Sequence, residues 1–139
     1  MENICNCNYI WLGELGHDVI EIGETETEFG YPIIGEKTSL FVTQGKAEFG
    51  IVICGTGMGI SMAAGKVPGI RVALCCDVYM GEMAKVHNNA NMLAFGCRVL
   101  AFEKIQRIID TYMSCAYGKG RHDERVQKLK ETEERYLKR

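Results

Sequence analysis

The sequence carries no surplus of either charge, no long apolar run and no paired cysteine motif. Sixteen Lys and Arg stand against eighteen Asp and Glu, a formal charge of −2. The basic excess of a nucleic-acid backbone binder or an anionic-membrane binder is therefore absent, and neither is an expected partner. No apolar stretch approaches the roughly 20 residues needed to cross a bilayer, and the N-terminus lacks the basic region and apolar core of a secretory signal. A cytoplasmic location is expected. Seven cysteines, Cys5, Cys7, Cys54, Cys75, Cys76, Cys97 and Cys115, are odd in number and form no C-x-x-C pair of the kind that holds zinc. Most read as reduced, small hydrophobes of a core. Cys5-x-Cys7 is half a ligand pattern without a second half, so no metal is expected. No repeat, low-complexity segment or linker divides the chain.

What is present suits one domain over residues 1–139, since 139 residues with 47% hydrophobic content fill a single core and not two. Strands are expected at 17–22 (HDVIEI), 49–54 (FGIVIC), 70–75 (IRVALC) and 91–95 (NMLAF). The second and third are apolar on both faces, the signature of parallel strands covered on both sides. Helices are expected at 32–44, 58–66, 78–87, 102–117 and 121–138. Pro32 suits a first turn and Gly45 a helix end, and Ile105, Ile108, Ile109, Tyr112 and Met113 recur at helical spacing as one buried stripe. Val126, Leu129 and Tyr136 lie among alternating charges in the last segment, a solvated helix with a few apolar contacts. Residues 1–15 are an atypical start and read as helix, because the short link to 17–22 leaves no room for a parallel crossover. The pattern is an α/β doubly wound parallel sheet with helices on both faces.

The informative stretch is ICGTGMG at 53–59. Gly55, Gly57 and Gly59 follow a buried strand and open a helix, where they let the backbone turn sharply and aim N–H groups at one point. A helix N-terminus adds positive potential, so the site favours an anion. A dinucleotide-binding turn is one alternative, with Asp77 about 20 residues on as the ribose-binding acid. The order G-x-G-x-G differs from G-x-G-x-x-G, however, and Cys54 precedes it. A cysteine at the C-terminal end of a strand lies where α/β proteins place ligands, and a helix N-terminus favours thiolate. A thiolate base beside an oxyanion hole suits proton abstraction next to a carbonyl; a cysteine that merely ends a strand is the bland alternative.

ICGTGMGISMAAGKVPGIRVALC, then HNNANMLAFGCRV, then GKGRHDERV resembles the family of ribose-5-phosphate isomerase B and galactose-6-phosphate isomerase, from about Gly16 to Val126. The resemblance implies an aldose-ketose isomerase that works without a metal or other cofactor on a phosphorylated sugar, through a cis-enediolate. It implies Cys54 as the base, with Thr56 and the turn Gly55, Gly57 and Gly59 stabilising the enediolate oxygen, His87 assisting ring opening and Asn88 binding sugar hydroxyls. Arg121 and Arg125 would fork around the phosphate, Arg98 would be a further phosphate ligand from a neighbouring subunit, and Tyr31 would line the pocket. A homodimer or homotetramer with shared sites is implied. Taken alone, His87 could cap its helix, Arg98 could be a surface arginine, Arg121 and Arg125 could belong to a charged face, and His122 could bond locally.

The chain departs from that family at its start. Members begin with a strand ending in an Asp-His pair, and neither is found before Gly16; a gene start set too late, a replaced segment or a subunit without catalysis would each account for it. Asn89 stands where ribose enzymes usually have aspartate, as in some galactose-6-phosphate subunits, whereas GRHDERV is closer to the ribose branch. Gly65 replaces a larger polar residue. The leading expectation is isomerisation of ribose 5-phosphate and ribulose 5-phosphate. The alternatives are galactose- or allose-6-phosphate isomerisation and a sugar-phosphate-binding subunit.

Overall fold

The computed structural model describes residues 11–23 and 30–137. In chain order the elements are α1 (Tyr31–Thr43), β1 (Gly50–Cys54), α2 (Met58–Ala64), β2 (Val72–Leu74), α3 (Val78–Val86), β3 (Met92–Gly96), α4 (Phe102–Ser114) and α5 (Arg121–Leu137). The strands form a parallel sheet in the order β1-β3-β2, with Gly50 and Val72 both level with Met92, and Cys54 level with Gly96. β3 is central and buried along its whole length, which is why its residues are apolar on both faces. On one face Ile34 of α1 and Ile60 and Ala64 of α2 cover Val52, Met92 and Ala94. On the other, Ala84 of α3 and Ile105, Ile108, Ile109 and Tyr112 of α4 cover Leu93 and Phe95.

Local signals set most boundaries. Pro32 lies in the first turn of α1. Its end is closed by Gly45 at φ 72, while the Lys46 N–H donates to the Phe41 carbonyl at 2.9 Å, a left-handed helix stop. Gly35 lets α1 lie directly on α2, for a Cβ there would stand 3.1 Å from that of Ala63 and 3.2 Å from the Ile60 carbonyl oxygen. Asp77 accepts the Met80 N–H at 2.8 Å and caps α3, so the carboxylate weighed as a ribose ligand is occupied as a cap. Cys75 behaves as the small core hydrophobe expected: burial first, then Cys76 and Asp77, push its thiol up to about 12.

The strand expected at 17–22 does not form. These residues have no ladder partner among the described residues, and Val19 and Ile20 stay exposed; apolar character alone does not make a strand without a neighbour to bond. The expected strand 70–75 contracts to three residues because Ile70 and Arg71 belong to the approach from Gly69. Residues 11–14 are helical, as read for the start, while the cysteines at 5 and 7 lie outside the described residues. Among the described residues β1 bonds to β3 alone. The Gly50 N–H donates to the Asn91 carbonyl and the Cys54 carbonyl accepts the Cys97 N–H. Alternation therefore turns the Ile51 and Ile53 peptide groups to the opposite edge.

Tyr112 ties α4 to the segment before β3: its hydroxyl donates to the Ala90 carbonyl at 2.6 Å, and burial leads the causes that push the phenol up to about 12. Tyr112→Phe leaves that carbonyl unpaired, and urea unfolding is expected to register a loss of about 1–2 kcal/mol.

Candidate active site

The first group of candidate residues lies where β1 ends. Cys54 is half-buried and is followed by a turn that folds back on its own sulfur, the Gly57 N–H donating to Cys54 Sγ at 3.2 Å. Gly57 has φ 79, and a Cβ there would meet Leu74 Cδ1 at 2.6 Å and the Phe95 carbonyl carbon at 2.7 Å. The turn is thus pressed backbone-to-backbone on the end of β3, and only glycine fits both the angle and the space. Thr56 Oγ1 accepts the Met58 N–H at 3.3 Å, which leaves its own proton free to donate outward. The rim is closed by two side chains. A Cβ at Gly59 would stand 2.5 Å from Tyr31 Cζ, and one at Gly55 would stand 3.3 Å from Arg98 Nη1. Arg98 is fixed by its backbone as well, its N–H donating to the Gly55 carbonyl at 3.0 Å.

The second group lies elsewhere. His87 is the C-cap of α3, which leaves the end of β2 and returns to the start of β3. His87 and Asn88 therefore sit at the opposite edge of the sheet, beside Arg71, whose guanidinium holds the Asn89 carbonyl at 2.8 and 3.1 Å. The Gly118 N–H donates to the Val86 carbonyl at 2.9 Å and brings the start of α5 to the same edge. There His122 is buried and stacks on His87, ring centroids 4.3 Å apart and planes inclined by 20°. Arg121 and Arg125 are exposed and one turn apart on α5.

The candidates thus fall into two sets. Cys54, Gly55, Thr56, Gly57, Gly59, Tyr31 and Arg98 are brought together; His87, Asn88, Arg121 and Arg125 are brought together about 15 Å away, the length of a five-residue strand. Arg98 stands with the thiol of its own chain, and the two-arginine pair does not.

Residues 6–129 match the family model described as Ribose/Galactose Isomerase. The chain belongs to that family. It is 40% identical over 125 residues to ribose-5-phosphate isomerase B of Escherichia coli, covering 89% of this chain and 84% of that protein. It is 38% identical over 119 residues to galactose-6-phosphate isomerase subunit LacB of Clostridium acetobutylicum, covering 85% of this chain and 69% of that one. Among solved structures, ribose-5-phosphate isomerase B of Clostridium thermocellum superposes with a TM-score of 0.91 at 43% identity, over 96% of this chain and 91% of that one. The family's members are sugar-phosphate isomerases, and the parallel sheet covered on both faces is theirs as well.

Two site residues escaped the sequence reading. Gly96 ends β3 under the glycine turn, where a Cβ would stand 2.5 Å from the Thr56 carbonyl carbon and oxygen; the glycine closing LAFG is its signal. His122 was read only as a local hydrogen-bonding group, though its place beside Arg121 puts it at the same edge. Its pKa lies below the ordinary histidine range, first through burial, then through His87, Arg121 and Arg125, with Asp123 opposing. The neutral form is therefore favoured in the native state. Its contribution to stability is full above the unfolded value of about 6.5 and is lost as pH falls from there through the lower native value. Melting temperature is expected to drop between pH 7.5 and 5.5, and to drop less in His122→Phe.

Proposed function

We propose that the protein interconverts ribose 5-phosphate and ribulose 5-phosphate through a cis-enediolate, as a homodimer or homotetramer whose sites combine the two sheet edges of different subunits. The separation of the thiol edge from the histidine-arginine edge carries this reading. Each edge holds half of what an aldose-ketose isomerase needs, and parallel topology keeps the halves apart within a chain. The similarity to ribose-5-phosphate isomerase B over nearly the whole chain supports the substrate. A cytoplasmic setting within pentose phosphate metabolism suits a reaction that needs a reduced thiol, and Cys54 is free.

In the proposed reaction the sugar's phosphate lies between Arg121 and Arg125 of the partner subunit, with Arg98 approaching from the thiol edge; paired guanidinium forks suit a dianion. The partner subunit's Asn88 holds sugar hydroxyls, and Tyr31 walls the pocket. The partner subunit's His87 takes the proton of the anomeric hydroxyl as the C1–O4 bond breaks and returns it to O4, which gives the open-chain aldehyde. Cys54 then removes the C2 proton. Negative charge develops on O1, where the Thr56 hydroxyl and backbone donors of the glycine turn stabilise it. Two of the turn's N–H groups, those of Gly57 and Met58, are already engaged with Cys54 and Thr56, so the Thr56 hydroxyl is the principal side-chain donor. Cys54 returns its proton to C1 while the O2 proton passes to O1, and the ketose results.

A second substrate reading, galactose 6-phosphate or another hexose 6-phosphate, is favoured by the similarity to LacB. Turnover measured across pentose and hexose phosphates separates the two. A sugar-phosphate-binding subunit without catalysis would bind in calorimetry and turn over none of them.

Cys54→Ala is expected to lower turnover by roughly 10²–10⁴-fold while calorimetric binding of the sugar phosphate persists, because the phosphate clamp is built from arginines; joint loss of binding and turnover would defeat the assignment. The shared site has its own test. Cys54→Ala and His87→Ala chains, each impaired toward ribose 5-phosphate, are mixed, reassembled and assayed with that sugar: half the dimers are then mixed and each has one intact site, so about a quarter of wild-type activity returns. Sites confined to one chain would recover nothing.

A further inference from the structure

We propose that His122 is a positioning residue for ring opening: its imidazole, stacked flat beneath His87, holds that ring in the orientation from which it moves the proton between O1 and O4. This rests on the isomerase reading above and extends it to a residue that touches no reacting atom.

Several independent features make the stack a built arrangement and not a chance contact. His87 is the C-cap of α3, where its N–H donates to the Met83 carbonyl at 3.0 Å, a bond that fixes the backbone and not the ring. A half-buried imidazole at a helix terminus can rotate about two side-chain torsions. His122 removes that freedom from below, with ring planes inclined by 20° and centroids 4.3 Å apart, a close stack beside the roughly 4.5–7 Å of most aromatic pairs. His122 is itself held: it is buried, and its N–H donates to the Lys119 carbonyl at 3.1 Å in the first turn of α5. The two backbones are locked through Gly118. Its N–H donates to the Val86 carbonyl, and a Cβ on it would meet that oxygen at 3.0 Å and His122 Cδ2 at 3.3 Å. A larger residue at 118 would press on both, closer than nearly all real Cβ contacts.

Electrostatics fits the same role. The groups facing His122 are His87 from α3 and Arg121, Arg125 and Asp123 from its own helix. Burial and the nearby positive charges hold it in the neutral form at pH 7, so His87 rests on an uncharged surface and not against a second cation. A charged ring there would repel His87 just as it takes up its proton. His122 also sits between Arg121 and Arg125 in sequence. The helix that holds the phosphate and the ring that orients the proton-transfer group thus move as one piece.

The substrate pair supplies a readout that general damage to the fold does not mimic. Ribose 5-phosphate is a furanose closed through O4 and must be opened. Ribulose 5-phosphate, its O5 esterified, is already open-chain and reaches Cys54 without that step. Initial rates are measured in both directions for wild type, His87→Ala, His122→Leu and His122→Phe. Leu keeps the volume of the buried side chain without a flat face; Phe keeps the face without titration.

The expected result is that His122→Leu slows turnover of ribose 5-phosphate roughly tenfold or more but turnover of ribulose 5-phosphate by no more than about threefold. His122→Phe should recover much of the lost direction. If the two directions fall together in His122→Leu, if neither falls, or if even the Phe variant fails to fold, His122 is structural and the proposal is overturned. His87→Ala is the reference. If wild type acts on neither sugar, the isomerase reading beneath the proposal has failed; if His87→Ala slows both directions alike, His87 does not open the ring and the proposal is overturned. A one-directional loss in His87→Ala with none in His122→Leu overturns the stack alone.

Discussion

Three strands that run the same way force every strand-to-helix turn to one edge of the sheet and every helix-to-strand turn to the other. Nearly everything functional about this chain follows from that polarity. Cys54 and the glycine turn leave the end of β1, while His87 and Asn88 arrive at the start of β3. No side-chain rotation spans the sheet between them. The constraint is topological, so it survives any rearrangement of loops that leaves the ladder intact, and it is the reason the proposed site draws on two subunits.

The thiol edge owes its shape to close backbone approach. Gly57 presses on the end of β3 from one side and Gly96 receives Thr56 from the other. Tyr31 and Arg98 can then reach Gly59 and Gly55 because those positions have no side chain. The cost is a turn that tolerates few residues; the gain is a sulfur fixed by an N–H of the turn it precedes. The opposite edge is built differently. It uses a helix end, a strap anchored at Gly118 and the first turn of a long, mostly exposed helix, with side chains and not backbone forming the surface.

Much of this was legible in the residues. Runs apolar on both faces marked β1 and β2, Gly45 marked the end of α1, and the helical stripe at Ile105, Ile108, Ile109 and Tyr112 is the buried face of α4. The glycine turn and its preceding thiol announced one edge of the site. What could not be read was pairing. HDVIEI has strand composition, yet a strand is a relation between two segments, and residues 17–22 have no bonded neighbour among the described residues. Nor does a linear motif reveal which candidates face one another: ICGTGMG and HNNAN look like parts of one pocket until the strand direction sets them a sheet's length apart. The His87–His122 stack was hidden for the same reason, since 35 positions separate two rings that the Gly118 strap brings together.

The division of labour between the edges has an evolutionary side. The glycine turn is hemmed in by main chain on several sides, so almost any change there disturbs the fold as well as the chemistry. Arg121, Arg125 and Asn88 stand on open surface, where exchange of one side chain for another leaves the sheet undisturbed. Under the isomerase proposal, exchange at Asn88 can therefore alter which sugar hydroxyls are held without disturbing the turn that carries Cys54, and a lineage built on this sheet can broaden its diet without reinventing its reaction.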